Sequence, residues 1–119
     1  MSFASAVTLT PVQLTPLTGI SIAAALTAAD GTNGNRFLAN RRTILRVKNA
    51  SGAEITVTVH VNRTVDGLTV PDATFTVAAT TGDVIYTGFT ENFLHNAAGE
   101  AWVTFSAVTT VTVKVYQVP

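Results

Sequence analysis

In the stretch ITVTVHV, residues 55 to 61, Ile55, Val57, Val59 and Val61 alternate with Thr56, Thr58 and His60. Successive side chains of an extended strand point to opposite faces, so this spacing predicts a half-buried strand with the aliphatic set on its inner face. Burying all of that set contributes roughly 6 to 12 kcal/mol, at about 1.5 to 3 kcal/mol each, before the entropy of ordering the chain is subtracted. A slip of one residue would expose every one of them. The register is therefore strongly specified, and neighbouring segments must supply edge partners and a second apolar layer.

Other segments repeat the pattern. Thr43 to Asn49 places Leu45 and Val47 on one face and Ile44, Arg46 and Lys48 on the other. The short Asn49 to Ala53 connection then predicts an antiparallel hairpin into residues 55 to 61. Thr74 to Ala78 is a strand with Phe75 and Val77 inward, and Thr80 to Asp83 turns it into Val84 to Thr87. Ala101 to Ser106 and Val111 to Tyr116 are expected as a last strand pair, with Val111, Val113 and Val115 inward. Between these, Asp30 to Asn40 and Val65 to Pro71 are dense in turn formers and read as loops. Glu91 to Asn96 is a single helical turn or an irregular corner that buries Phe93 and Leu94, and Ile20 to Leu26 is a first strand or a short buried turn. The sum is an all-β chain of about seven or eight short, mostly antiparallel strands, as in a β-sandwich or a jelly-roll-like barrel.

Composition sharpens this. A chain of 119 residues is the size of one domain, and 47% hydrophobic against 12% charged residues argues against disorder. Threonine fills about one position in six, which favours strands. Residues 1 to 29 contain no Asp, Glu, Lys or Arg but include Pro11 and Pro16, so they form either a first strand or an arm on a neighbouring subunit, with Val7, Leu9, Leu14 and Leu17 as its apolar contacts. Residues 30 to 119 form the β-sandwich domain. The first basic residue is Arg36, so no positive region of a secretory signal precedes it, and no apolar run is long enough to span a bilayer. A soluble protein made inside the cell is expected.

Chemistry is sparse. With no cysteine there is no disulfide, thiolate ligand or cysteine nucleophile. His60 and His95 lack a carboxylate at catalytic or metal-ligand spacing in the sequence, no serine sits in a Gly-x-Ser-x-Gly elbow, and the oxygens of Asp30 to Asn40 do not follow calcium-loop spacing. No enzyme, metal or cofactor is expected. Asn49-Ala50-Ser51 and Asn62-Arg63-Thr64 match the glycosylation pattern, but in a threonine-rich chain such matches arise by chance and are read as hairpin residues. Seven basic and seven acidic residues balance, which disfavours nucleic acid and acidic membranes. The charges are nevertheless segregated: Arg36, Arg41, Arg42, Arg46 and Lys48 form a basic run, either a solvated strand face or a contact for an acidic protein surface.

The succession GNRFLANRRTILRVKN (residues 34 to 49), ITVTV (55 to 59), TVDGLTVPDATFTVAA (64 to 79) and VTFSAVTTVTVKVYQV (103 to 118) resembles small structural proteins of tailed bacteriophages encoded beside the major capsid protein. Arg41-Arg42 stand where that pattern has Asp-Gly. The resemblance implies a capsid decoration, or cement, protein on the virion exterior. Its partner would be the major capsid protein, and analogy favours a trimer. A minor head or tail protein is the nearest alternative. A carbohydrate-binding β-sandwich is a further one, for which Trp102 and Tyr116, both on the outward phase of their strands, would be the platform.

Overall fold

A computed structural model describes residues 3–14, 26–62, 64–90 and 93–118. Its strands are, in chain order, β1 (Val7–Leu9), β2 (Val12–Gln13), β3 (Thr27–Ala28), β4 (Asn35–Leu38), β5 (Thr43–Asn49), β6 (Ile55–Val59), β7 (Thr64–Val65), β8 (Leu68–Thr69), β9 (Ala73–Val77), β10 (Gly82–Tyr86), β11 (Glu100–Phe105) and β12 (Val111–Gln117). They build an all-β sandwich. The front sheet runs β1-β4-β11-β6-β9 and the back sheet β10-β5-β12-β2, with β3 also on β12, while β7 and β8 form a separate two-stranded ribbon.

The period-two pattern sets which faces meet. Ile55, Val57 and Val59 from the front sheet share one core with Leu45, Val47, Val111, Val113 and Val115 from the back. Thr56 and Thr58 stay partly exposed on the outer face. Val61, expected as a fourth buried aliphatic, lies beyond the end of β6 and is only half-buried. The strand stops there for a local reason: the His60 N–H donates to the Trp102 carbonyl at 3.0 Å, and the Val61 N–H then turns to a carboxylate oxygen of Asp72 at 2.8 Å.

The connections differ from expectation. The segment between β5 and β6 is not a hairpin, because β5 pairs with β10 and β12 while β6 pairs with β11 and β9. The expected last pair likewise separates, β11 into the front sheet and β12 into the back. The β9 to β10 link also crosses between sheets. Alternation cannot tell these cases apart, since two strands facing each other across a core carry the same inward pattern as two strands side by side.

Side-chain chemistry at the crossings explains them. Asn49 is fully buried, and its amide donates to the Ala53, Val77 and Ala78 carbonyls at 2.8, 3.3 and 3.1 Å, while its oxygen accepts the Ser51 N–H at 2.9 Å. One amide thus ties the β5–β6 crossing to the β9–β10 crossing, and the glycosylation match at Asn49 is an internal strut. Opposite it, Gly82 lies so close to the previous turn that an added Cβ would sit 2.0 Å from the Ala78 carbonyl oxygen. Glycine is required there by contact.

The expected loop Asp30 to Asn40 is partly strand. Its residues Asn35–Leu38 are β4, which pairs with both β1 and β11 and buries Phe37. Gly34, at φ +75°, leads into this strand where a Cβ would meet the Val103 carbonyl oxygen at 2.1 Å. Packing against β11 overrides the local turn propensity.

Of residues 1 to 29, those described lie on the same chain's sheets. β1 runs parallel to β4, β2 runs parallel to β12, β3 pairs antiparallel with β12, and Leu9 joins the core. Apart from Leu26, the strand expected over Ile20 to Leu26 falls outside the described residues. One lateral side of the sandwich is therefore closed by chain segment 7–13. On the opposite side, β9 and β10 are the last strands of their sheets, with no further strand among the described residues.

Candidate interaction surfaces

The basic run does not form one surface. Arg36 projects from β4 on the front face, where its Nε donates to Thr8 Oγ1 at 3.1 Å and lies 3.9 Å from Glu100, and its guanidinium sits 5.3 Å from the Phe3 ring centre. Arg41 and Arg42 are exposed in the turn between β4 and β5. Arg46 and Lys48 project from β5 on the back face, and only Lys48 is exposed. Arg46 is 7% exposed, held by a two-pronged pair to Asp83 at 2.9 and 2.6 Å, with the Tyr116 side chain as a further hydrogen-bond partner. The Arg46 bond holds the Asp83 carboxyl below its ordinary range.

Among the apolar candidates, Val7 is exposed on β1, Leu9 is buried in the core, Leu14 is half-exposed at the end of β2, and Leu17 lies outside the described residues.

The front face carries a cluster that spacing in the sequence could not show. Asp72 Oδ2 accepts from His60 Nδ1 at 3.0 Å, and His60 Nε2 meets Thr104 Oγ1 at 2.8 Å. The acceptor on Asp72 fixes the neutral tautomer, with the proton on Nδ1. His95 Nε2 donates to the His60 carbonyl at 3.1 Å. The His60 ring stacks on Trp102 at 3.9 Å, and Phe3 and His95 pack against the same indole at 6.3 and 5.8 Å. The indole N–H donates to the Asn33 carbonyl at 2.7 Å. Burial pushes the His60 imidazole below its ordinary value, against the pull of Asp72.

Acid, imidazole and hydroxyl stand here in the order of a nucleophile relay. The hydroxyl that ends the chain belongs to Thr104, which is 6% exposed and already engaged by His60 Nε2. Burial of this residue leaves little access for a substrate carbonyl at attack distance. The cluster instead clamps three segments: the end of β6, the link into β9, and the turn before β11. Asp72, reached through the turn-rich link, is the residue that sequence reasoning missed as a partner for His60.

The back face is different in character. Leu14, Ile44, Ile85 and Tyr116 line an open groove of about 410 Å³ whose remaining walls are Arg46 and Asp83. Register explains the grouping, because Tyr116 pairs with Ile44 on one side and Val12 on the other, and Ile85 pairs with Arg46. Ile85 is 63% exposed on β10.

Comparison with family models, with curated proteins and with solved structures returned no match.

Trp102 and Tyr116 do not form a joint platform. They sit on different sheets, one indole face is taken by His60, and Tyr116 is 5% exposed. A platform for stacked sugar rings needs open aromatic faces on one surface, and this pair does not supply that. The most exposed apolar side chains lie elsewhere: Leu38 on β4, Ile85 on β10, and Leu68 at 74% exposure in the β7–β8 ribbon.

Proposed function

We propose that this chain is a virion structural protein, a capsid decoration or cement protein that binds the major capsid protein lattice from outside. Two things support the reading: the resemblance of about residues 30 to 119 to small phage structural proteins, and a surface suited to protein contact. The observation that carries most weight is the edge of β9, which ends the front sheet with no further strand among the described residues and presents Thr74 and Thr76 outward. An unpaired strand edge recruits other chains through backbone hydrogen bonds. Arg41 and Arg42, exposed in the β4–β5 turn, would meet an acidic patch on the capsid.

Cosedimentation with particles assembled from the major capsid protein of the same virus tests this. Binding is expected, and replacing Arg41 and Arg42 by glutamine should slow association and flatten its salt dependence, because exposed charges act on encounter more than on residence. Binding to tails and not to heads would move the protein to the minor-component reading. No binding to either would overturn the proposal.

A further inference from the structure

The two strands that end the sheets on the open side are not alike. β9 presents Thr74 and Thr76 on its outer face, and Pro71 stands two residues before its start. β10 presents Asp83, already engaged by Arg46, and the exposed aliphatic Ile85. Proteins commonly blunt an edge strand with charged side chains, proline or a bulge. The segment Gly82–Tyr86, GDVIY, has no proline, its five-residue register with β5 is continuous, and its one charge, Asp83, is neutralised by Arg46 of the same sheet.

We propose that β10 is a self-association edge, through which two copies pair antiparallel about a twofold axis and join their back sheets into one. The register follows from the side chains. A twofold axis at Ile85 sets Ile85 against Ile85 of the second copy on the outer face, and Val84 against Tyr86 on the inner face. An axis at Val84 would oppose Asp83 to Ile85, and one at Asp83 would bring two carboxylates together, so both are disfavoured. Pairing at Ile85 also continues the apolar groove of Ile44, Tyr116 and Leu14 across the axis into its copy. An isologous contact needs a surface that complements itself, and aliphatic on aliphatic beside backbone groups with no partner strand among the described residues does so.

A strand pair this short buries less than the roughly 1,200 Å² of a standard interface, so the dimer is weak and depends on concentration. The inference does not rest on the virion reading, and it replaces the threefold association implied by the resemblance.

Sedimentation velocity of the full chain alone, without capsids, tests it over a wide concentration range. The wild type should shift reversibly from monomer to dimer. Ile85→Lys should remain monomeric throughout, because it places like charges opposite each other, whereas Ile85→Val should still dimerise. Thr76→Lys, on the neighbouring edge β9, should leave the dimer intact. Circular dichroism melts in the dilute, monomeric range should be unchanged for Ile85→Lys, since Ile85 is largely exposed. A wild type that stays monomeric, a trimer, or a dimer indifferent to Ile85→Lys would overturn the proposal.

Discussion

The two lateral sides of this sandwich are sealed by different means. On one, main chain does the work: β1 and β2 lie parallel along β4 and β12, so one uncharged segment covers the edges of both sheets and plugs Leu9 into the core. On the other, side chains do it. Phe75 of β9 stacks on Tyr86 of β10 at 5.3 Å, Tyr86 meets Phe89 edge-on at 5.3 Å, and Phe89 meets Phe37 at 5.3 Å. A seal of side chains satisfies the apolar interior and leaves backbone groups of the edge free; a seal of main chain satisfies both. Among the described residues, the side with no strand laid over its edges is therefore the aromatic one.

The largest effect is expected at the aromatic seal. Phe89 is fully buried and bridges β4 to the end of β10, so Phe89→Ala should cost about 3 to 5 kcal/mol, measured by denaturant unfolding. A cost below about 1 kcal/mol would mean that the open side is held by something other than these rings. Leu9→Ala tests the opposite side. Its expected cost is smaller, about 2 to 3 kcal/mol, since β1 is a three-residue strand at the rim. Truncation of residues 3–13 should then leave the edges of β4 and β12 exposed and promote aggregation, which separates a folding role of this segment from a role in attachment alone.

Asp83→Ala comes next. It leaves the Arg46 guanidinium without its carboxylate at a nearly buried site, for an expected cost of about 1 to 3 kcal/mol, moderated because Asp83 itself is partly solvated. The carboxyl is held below its ordinary 3.8, so the pair contributes in full above that value and loses its contribution as pH falls through the lower folded-state value.

The smallest effect is expected at His60. Burial depresses this imidazole below its ordinary 6.5, so the folded state favours the neutral ring. Its stabilising contribution is complete above about pH 6.5 and declines as pH falls from there through the folded-state value. Melting curves from pH 7.5 down to pH 5 should show this decline in the wild type and not in His60→Gln. No difference between the two would show that the His60–Asp72–Thr104 clamp adds nothing that depends on charge.

How much of this was legible beforehand depends on the kind of contact. Strand faces were, because Ile55, Val57, Val59, Val111, Val113 and Val115 announce their burial by alternation alone. Pairing partners were not: the pattern around Asn49 fits a hairpin as well as a crossing, and only the bonds from its amide to Ala53, Val77 and Ala78 decide the matter. Nor was β4, whose Asn and Gly residues look like turns until Gly34 is seen pressed on the Val103 carbonyl. Phe89, between Gly88 and Thr90, had no periodicity to mark it. The His60–Asp72 pair joins residues on either side of the turn-rich link, and the two edges of the open side exist only once the sheet order is known.

The asymmetry of the two sides is tested most directly by amide hydrogen exchange, followed residue by residue at several protein concentrations. At high dilution, the alternate amides of β10 that face away from β5 should exchange rapidly, while the amides β4 shares with β1 are protected. Raising the concentration should protect β10 and leave β1 and β4 unchanged. Outward amides of β10 that are protected even at the lowest concentration would contradict the account, since the chain itself would then be covering that edge.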